Sequence, residues 1–289
     1  MTRASELLFV AQPALGLQIR QLEEELGTAL LLRHSRGVAP TPAGQLLYDG
    51  ARDLLQRAEA LKAQVKGLDA STAETLILGL SPSVSVLLGQ DIMLEARGRL
   101  PNVFLSLFEA MSIGLIEAMD RQEVDVAFAY DYSDRPSLSG TPLFDEELLF
   151  VSAPGGDSEQ PIALTEALAR DLVLASERDP IRRTVEARAQ KLGIRPHIVF
   201  EAQSVALMKS VVAAGHAATI MPYGIATEEL RRGELIGRRI EQPLLRRLYL
   251  VKQSQRVPLR AEAEIDAFLG EMAQRLRLAL GPLARPFTA

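Results

Sequence analysis

A seven-position apolar seam runs through the first quarter of the chain. Leu47, Ala51, Leu54, Ala58, Leu61, Val65 and Leu68 are separated by four and three residues in strict alternation. Such a 3.5-residue repeat is narrower than the stripe of a helix packed on its own domain, and it suits a helix zipped to a second helix. Leucine fills every d position, and small or β-branched residues fill every a position, as in two-stranded coiled coils. Arg52, Asp53, Arg57, Glu59 and Lys62 lie off the seam as solvated flanks. The other reading is a helix covering part of its own domain; the narrowness of the seam favours a dimer helix. A long solitary helix here also divides the 289 residues into a short part before it and a much larger part after it.

Before the seam, "VAQPALGLQIRQLEEELG" (10–27) carries its own punctuation. Pro13 suits a first helical turn, where its missing N–H would be unbonded anyway. Leu15, Ile19, Leu22 and Leu26 form one stripe over three turns, and Gly27 suits the position just past a helix end. "TRASELLF" supplies a second helical segment only a few residues upstream, a helix-turn-helix spacing. "LLLRHSRGVAPTPAG" follows as a strand-like triplet, Arg33, Arg36 and Gly37, then a proline-flanked stop. That predicts a hairpin wing with two arginines for phosphate contact. Two surface helices of a larger α/β domain would share these features. A dimer helix directly afterwards favours DNA binding, because it lets paired recognition helices enter successive major grooves. Net charge is −5 for the chain, split as +1 over residues 1–66 and −6 over the rest. The sign of that asymmetry suits a DNA-facing N-terminus.

The texture changes near residue 72. "TLILGL" is a continuous apolar run, as in a strand covered on both faces. A helix ending before Pro101, the strand "NVFLSLFEA", the helix "IGLIEAMDRQEV" and the strand "VDVAFAY" complete a βαβαβ order, which predicts a parallel doubly wound sheet. A second set follows: "LLFVSAP", "DLVLAS", "IRRTVEARAQKLG", "HIVFEAQ", "VALMKSVVAAGH" and "AATIMP", then "RLYLVKQ" and a final helix from "LRAEAEIDAFL" onward. The expectation is an α/β chain with a bilobed domain at 72–289 that resembles periplasmic binding proteins. Lobe I is placed at about 72–147 and 254–280, lobe II at about 148–253, with crossings near 145–150 and 250–255.

In such folds a ligand binds at the carboxyl ends of strands. Ser81 and Ser83 follow the first strand and open a helix, suiting an anion. Met111 and Ser112 follow the second strand, and Tyr130 ends the third. Ser176, Arg182, Gln203 and Ser204 are the candidates from the other lobe. Arg182 with the serines points to a carboxylate, although each serine taken singly also reads as a helix N-cap.

Other classes find little support. There is no cysteine, and His34, His197 and His216 lack metal-ligand spacing, so no metal or cofactor is expected. "GLSPS" lacks the second glycine of a nucleophile elbow, no phosphate-binding loop occurs, and Glu146 with Glu147 is read as an exposed strand pair, so no enzyme is expected. No apolar run spans a membrane and no secretory h-region opens the chain, which makes the cytoplasm the default compartment.

Residues 2–66, through "VAQPAL…QIRQLEEELG…LLLRHSRGVAPTPAG", resemble the N-terminus of LysR-type transcriptional regulators, nearest in look to the nitrogen-assimilation subgroup. "VVAAGHAATIMP" also resembles the family's helix-turn-strand signature, with Gly215 at the turn and Ala217 in place of its second glycine. The resemblance implies a winged helix-turn-helix at 1–41, a linker and dimerisation helix at 42–71, and the effector-binding domain at 72–289. It places Gln12, Pro13, Gly16 and Gln18 at groove contacts, and Thr2, Arg3, Arg33, Arg36 and Thr41 at backbone contacts. It implies double-stranded DNA, a small-molecule effector, RNA polymerase and further copies of the chain, as a dimer and then a tetramer, for partners. Family members carry a further helix before "TRASELL", so the winged domain is expected to be partial. Gly16 and Leu17 stand where the family has serine and a longer polar residue. A DNA-binding-deficient sensor, truncated at its N-terminus, is therefore the alternative.

Overall fold

The computed structural model describes residue 5, residues 11–34, 37–48, 50, 51, 54, 55 and 58, and residues 74–287 except 131, 133, 134, 156–159, 255 and 257. The chain falls into two compact units, 1–70 and 71–289.

In the first unit, helix α1 (Gln12–Leu26) begins after an extended Ala11 and has its proline in the first turn. It stops at Gly27, whose φ of 66° is left-handed and whose N–H returns to the Glu23 and Glu24 carbonyls. Glu23 then fixes the exit. Its Oε1 accepts the Leu30 N–H at 2.8 Å and the Leu31 N–H at 3.1 Å. Strands β1 (Leu31–His34) and β2 (Gly37–Pro40) pair antiparallel as the wing. Thr41 closes it by donating its hydroxyl to the Ala29 carbonyl at 2.7 Å and accepting the Gly44 N–H at 2.9 Å. Residues 42–48 continue as helix. Gly44 is required there, because a Cβ would lie 2.0 Å from the Leu30 carbonyl oxygen. Of the seam, Leu47, Ala51, Leu54 and Ala58 are helical, and Leu54 is 69% exposed; Leu61, Val65 and Leu68 lie outside the described residues.

The second unit opens with β3 (Glu74–Leu80), α2 (Pro82–Arg99), β4 (Val103–Glu109), α3 (Ser112–Asp120) and β5 (Val126–Tyr130). The strands are parallel in the order β4-β3-β5. Every residue of β5 is buried, which is why its sequence is apolar without alternation.

β6 (Leu138–Ser152) is fifteen residues long and belongs to two sheets. Its residues 138–147 pair with β11 (Leu245–Gln253), which also pairs with β5. Beyond residue 147, its two edges pair with β9 (Thr219–Pro222) and β10 (Ile236–Arg239). The second lobe is completed by α4 (Leu164–Ala169), β7 (Leu172–Leu174), α5 (Pro180–Lys191), β8 (Ile198–Glu201), α6 (Val205–Ala213) and α7 (Tyr223–Arg232). β7 pairs parallel with β8 and bridges to Ala218 just before β9. The long helix α8 (Glu262–Leu280) returns to the first lobe, and β12 (Ala284–Arg285) adds to β6.

Two expectations need correction. The return crossing lies at residues 240–244, between β10 and β11, not near 250–255. β11 therefore belongs to the first lobe, because its partners are β5 and the first part of β6. Glu146 and Glu147 are not exposed; they are 0% and 1% accessible.

The main core runs from Leu76, Leu80 and Phe128 through Phe144 and Phe268 into Met208, Met221 and Ile225 of the second lobe. A second cluster, around Leu148, Phe150, Leu172 and Val185, belongs to the second lobe alone.

Candidate functional site

The first unit presents α1. None of its residues is buried. Of the positions assigned to groove contact, Gln12, Pro13 and Gln18 are exposed and Gly16 is half-buried; the neighbouring Leu17 is 53% exposed. Thr41, assigned to a phosphate contact, instead uses its hydroxyl to join the wing to the next helix. Thr2, Arg3, Arg36 and the Arg33 side chain lie outside the described residues.

In the second unit, the strand-end candidates separate into two places. The first is a cleft in which Met111 of the first lobe meets Leu174, Asp179, Arg182, Met208 and Met221 of the second. Its wall is mainly apolar, and three of the chain's seven methionines line it, which gives an adaptable surface. Asp179 caps α5, accepting the Ile181 and Arg182 N–H groups at 2.8 and 3.2 Å. Arg182, 9% exposed, donates Nε to Glu186 at 2.6 Å and Nη1 to the Ala175 carbonyl at 3.4 Å. Its Nη2 takes no partner among the described residues. Ser176, Gln203 and Ser204 do not line this cleft, and Ser204 is spent capping α6 through the Leu207 N–H.

The second place is a buried charge cluster. Glu146 on β6 and Arg246 on β11 are register partners. Arg246 donates Nε at 3.1 Å and Nη2 at 2.8 Å to Glu146 Oε2, and Nη2 also reaches Ser83 Oγ at 2.7 Å. Its guanidinium lies 3.4 Å above the Tyr130 ring, and the Tyr130 hydroxyl donates to the same Glu146 oxygen. Burial, with the neighbouring carboxylate adding to it, holds the Tyr130 phenol far above its ordinary range, so it stays a donor. Among the described residues, Ser81 Oγ and Glu146 Oε1 are buried without hydrogen-bond partners. The Ser112 hydroxyl accepts the Tyr130 N–H at 3.2 Å. Thus Ser83 and Tyr130 turn to Arg246 and Ser112 to the Tyr130 backbone, and neither they nor Ser81 line the cleft, whereas Met111 and Arg182 do.

Sequence reasoning missed the flanking pairs. Asp145 is bonded to Arg247 at 2.7 and 3.1 Å, and Glu147 to Arg239 at 2.9–3.1 Å. The available signal was "DEE" at 145–147 against "RR" at 246–247, complementary runs in two strands. The lobes touch where α2 meets α7. A Cβ on Gly224 would lie 2.7 Å from the Ser83 carbonyl oxygen. Among the described residues no cluster of His, Asp and Glu is placed to hold a metal ion, and no helix is long and apolar enough to cross a membrane.

A helix and wing followed by two α/β lobes around a cleft define a class: a DNA-binding protein coupled to a ligand-binding module. Residues 69–274 match the family model described as the LysR substrate binding domain, and residues 1–45 match that of the bacterial regulatory helix-turn-helix protein, lysR family. The chain belongs to the LysR family of DNA-binding transcriptional regulators with an effector-binding domain. Nitrogen assimilation regulatory protein nac of Klebsiella aerogenes is 29% identical over 230 residues, covering 78% of this chain and 74% of that one. The DNA-binding transcriptional dual regulator OxyR of Escherichia coli is 28% identical over 265 residues, covering 91% and 87%. Among solved structures, a Corynebacterium glutamicum OxyR C206 mutant shares 25% identity at a TM-score of 0.63, covering 96% of this chain and 87% of that one. CbnR, a LysR family transcriptional regulator, shares the fold at 20% identity and a TM-score of 0.67, covering 96% and 93%.

Proposed function

We propose that the cleft between Met111 and Arg182 is the effector site, and that its ligand is a small molecule with an apolar body and one anionic group. The observation that carries this is Arg182. It is nearly buried, lines the methionine-rich cleft and keeps one nitrogen unpaired among the described residues. A carboxylate there would gain a charge-assisted hydrogen bond. The chain has no cysteine, so no thiol of its own responds to oxidants.

Two chains zip along the 47–68 seam, two such dimers form a tetramer through their effector domains, and the protein acts in the cytoplasm. α1 enters the major groove with Gln12 and Gln18 at base edges, while Arg33 and Arg36 hold phosphates. Ligand in the cleft changes the angle between lobes, shifting a pre-existing equilibrium of assembly shapes and with it DNA bending and engagement of RNA polymerase. The relatives are regulators, and no catalytic role is assigned. The match of residues 1–45 to the helix-turn-helix model supports DNA binding over the truncated sensor.

A thermal-shift screen of aromatic and branched-chain carboxylates on the full chain tests the site. A ligand that stabilises the parent should bind the Arg182→Ala variant about 10- to 100-fold more weakly, the range for a lost hydrogen bond to a charged group. Equal binding by the variant would remove Arg182 from the site.

A further inference from the structure

The outward face of α1 has a large apolar residue in its middle. Leu15, Gly16, Ile19 and Glu23 are half-buried and mark the side on which the helix meets its own unit. Glu23 is bonded there to the Leu30 and Leu31 N–H groups. With 3.6 residues per turn, Ala14, Leu17, Gln18 and Gln21 fall on the opposite side, and all four are exposed. The helix has no acidic residue in its first turn, whereas Glu23, Glu24 and Glu25 crowd its last. Nucleic-acid phosphates are drawn to the positive end of the helix dipole and repelled by carboxylates at the other end. The half of the face that can approach a duplex is therefore the one holding Ala14, Leu17 and Gln18. Leu17 is 53% exposed and can neither give nor accept a hydrogen bond. Leu17 and Ala14 together are far too little apolar surface to hold a protein partner. In the major groove, the apolar group on a base edge is the C5-methyl of thymine.

We propose that Leu17 is a specificity-determining residue that recognises the thymine methyl of an A·T pair in each DNA half-site. Ala14, one turn earlier, is short enough to let the helix come close. Gln18, on the same face, has the amide that matches adenine N6 and N7. The two neighbours thus read A·T pairs through different groups, one through the methyl and one through the hydrogen-bonding edge. Phosphate contacts add affinity without sequence information, so the effect of Leu17 falls on preference more than on attachment. This rests on the reading that α1 enters the major groove.

The full-length chain is used to select bound duplexes from a random-sequence library, and the enriched half-site should hold a fixed A·T pair. Replacing thymine by uracil, at each selected thymine in turn, removes only the methyl. At one such position, changed in both half-sites, the parent should lose about 10- to 20-fold in affinity, about 4-fold for each buried methyl. Leu17→Ala should bind the thymine duplex about as weakly as the parent binds the uracil one and should be indifferent to the replacement. Its loss should be larger on selected than on unselected duplex. Leu17→Met keeps an apolar tip and should keep the uracil penalty. A parent indifferent to every uracil replacement overturns the proposal, as does a penalty of the same size in Leu17→Ala. An equal loss by Leu17→Ala on selected and unselected duplex also overturns it, since that marks a structural or protein-contact role. Failure of the parent to enrich any duplex overturns the groove reading itself, whereas enrichment without a methyl effect overturns this inference alone.

Discussion

Replacing Arg246 by methionine keeps the length and apolar body of the side chain and deletes its charge. Among the described residues, Glu146, fully buried, would then retain only the Tyr130 hydroxyl on Oε2, since Oε1 already has no partner. Breaking a buried ion pair from one side costs about 3–5 kcal/mol. The loss for Arg246→Met should therefore be about 3–5 kcal/mol. In a unit of this size that is a fall in Tm of roughly 6–20 °C. The double variant Glu146→Leu/Arg246→Met should recover most of the loss, since replacing both partners by apolar groups leaves no orphaned charge. Urea melts of the four chains, followed by far-ultraviolet circular dichroism, complete the cycle. A single-variant loss below about 1 kcal/mol would refute the reasoning.

Gly224→Ala should destabilise the effector unit by about 1–3 kcal/mol, read from urea midpoints, because its Cβ would lie 2.7 Å from the Ser83 carbonyl oxygen, a backbone atom held by α2. Asp179→Ala should cost about 0.5–2 kcal/mol in the same assay through loss of the α5 cap. Burial alone would raise the Glu262 carboxyl, but Arg256, Lys252 and the Leu259 N–H hold it below its ordinary 4.5. Its stabilisation is therefore complete above that value and is lost as pH falls through the lower folded value. Glu262→Gln should flatten the fall in stability below pH 4.5, measured by urea melts from pH 3 to 6.

What could be read from the sequence follows from what is local. Pro13 and Gly27 fix both ends of α1 by backbone rules that need no tertiary partner. The buried strands of the βαβαβ set announce themselves by unbroken apolar runs. The sequence does not place β11 in the first lobe, because its partners, β5 and β6, lie more than ninety residues upstream and periodicity carries no record of them. Gly233, left-handed at the end of α7, is a local stop that the sequence does carry for that helix. Asp and Glu seldom lie fully buried unless paired. The arginines that pair with 145–147 come from 239, 246, 247 and 285, so composition alone pointed to the surface. Strand-end reasoning reached Met111 and Arg182 in the cleft. It could not foresee that Ser83 and Tyr130 turn towards Arg246 instead.

β6 threads both sheets as one continuous strand. Neither lobe can finish its hydrogen-bonded ladder while the other is melted, because each uses part of the same backbone. The effector unit should accordingly unfold in one cooperative step, with no half-folded lobe persisting. Motion of one lobe against the other must be absorbed as torsion along that shared backbone, so it behaves as an elastic shaft with a restoring force and not as a slack hinge.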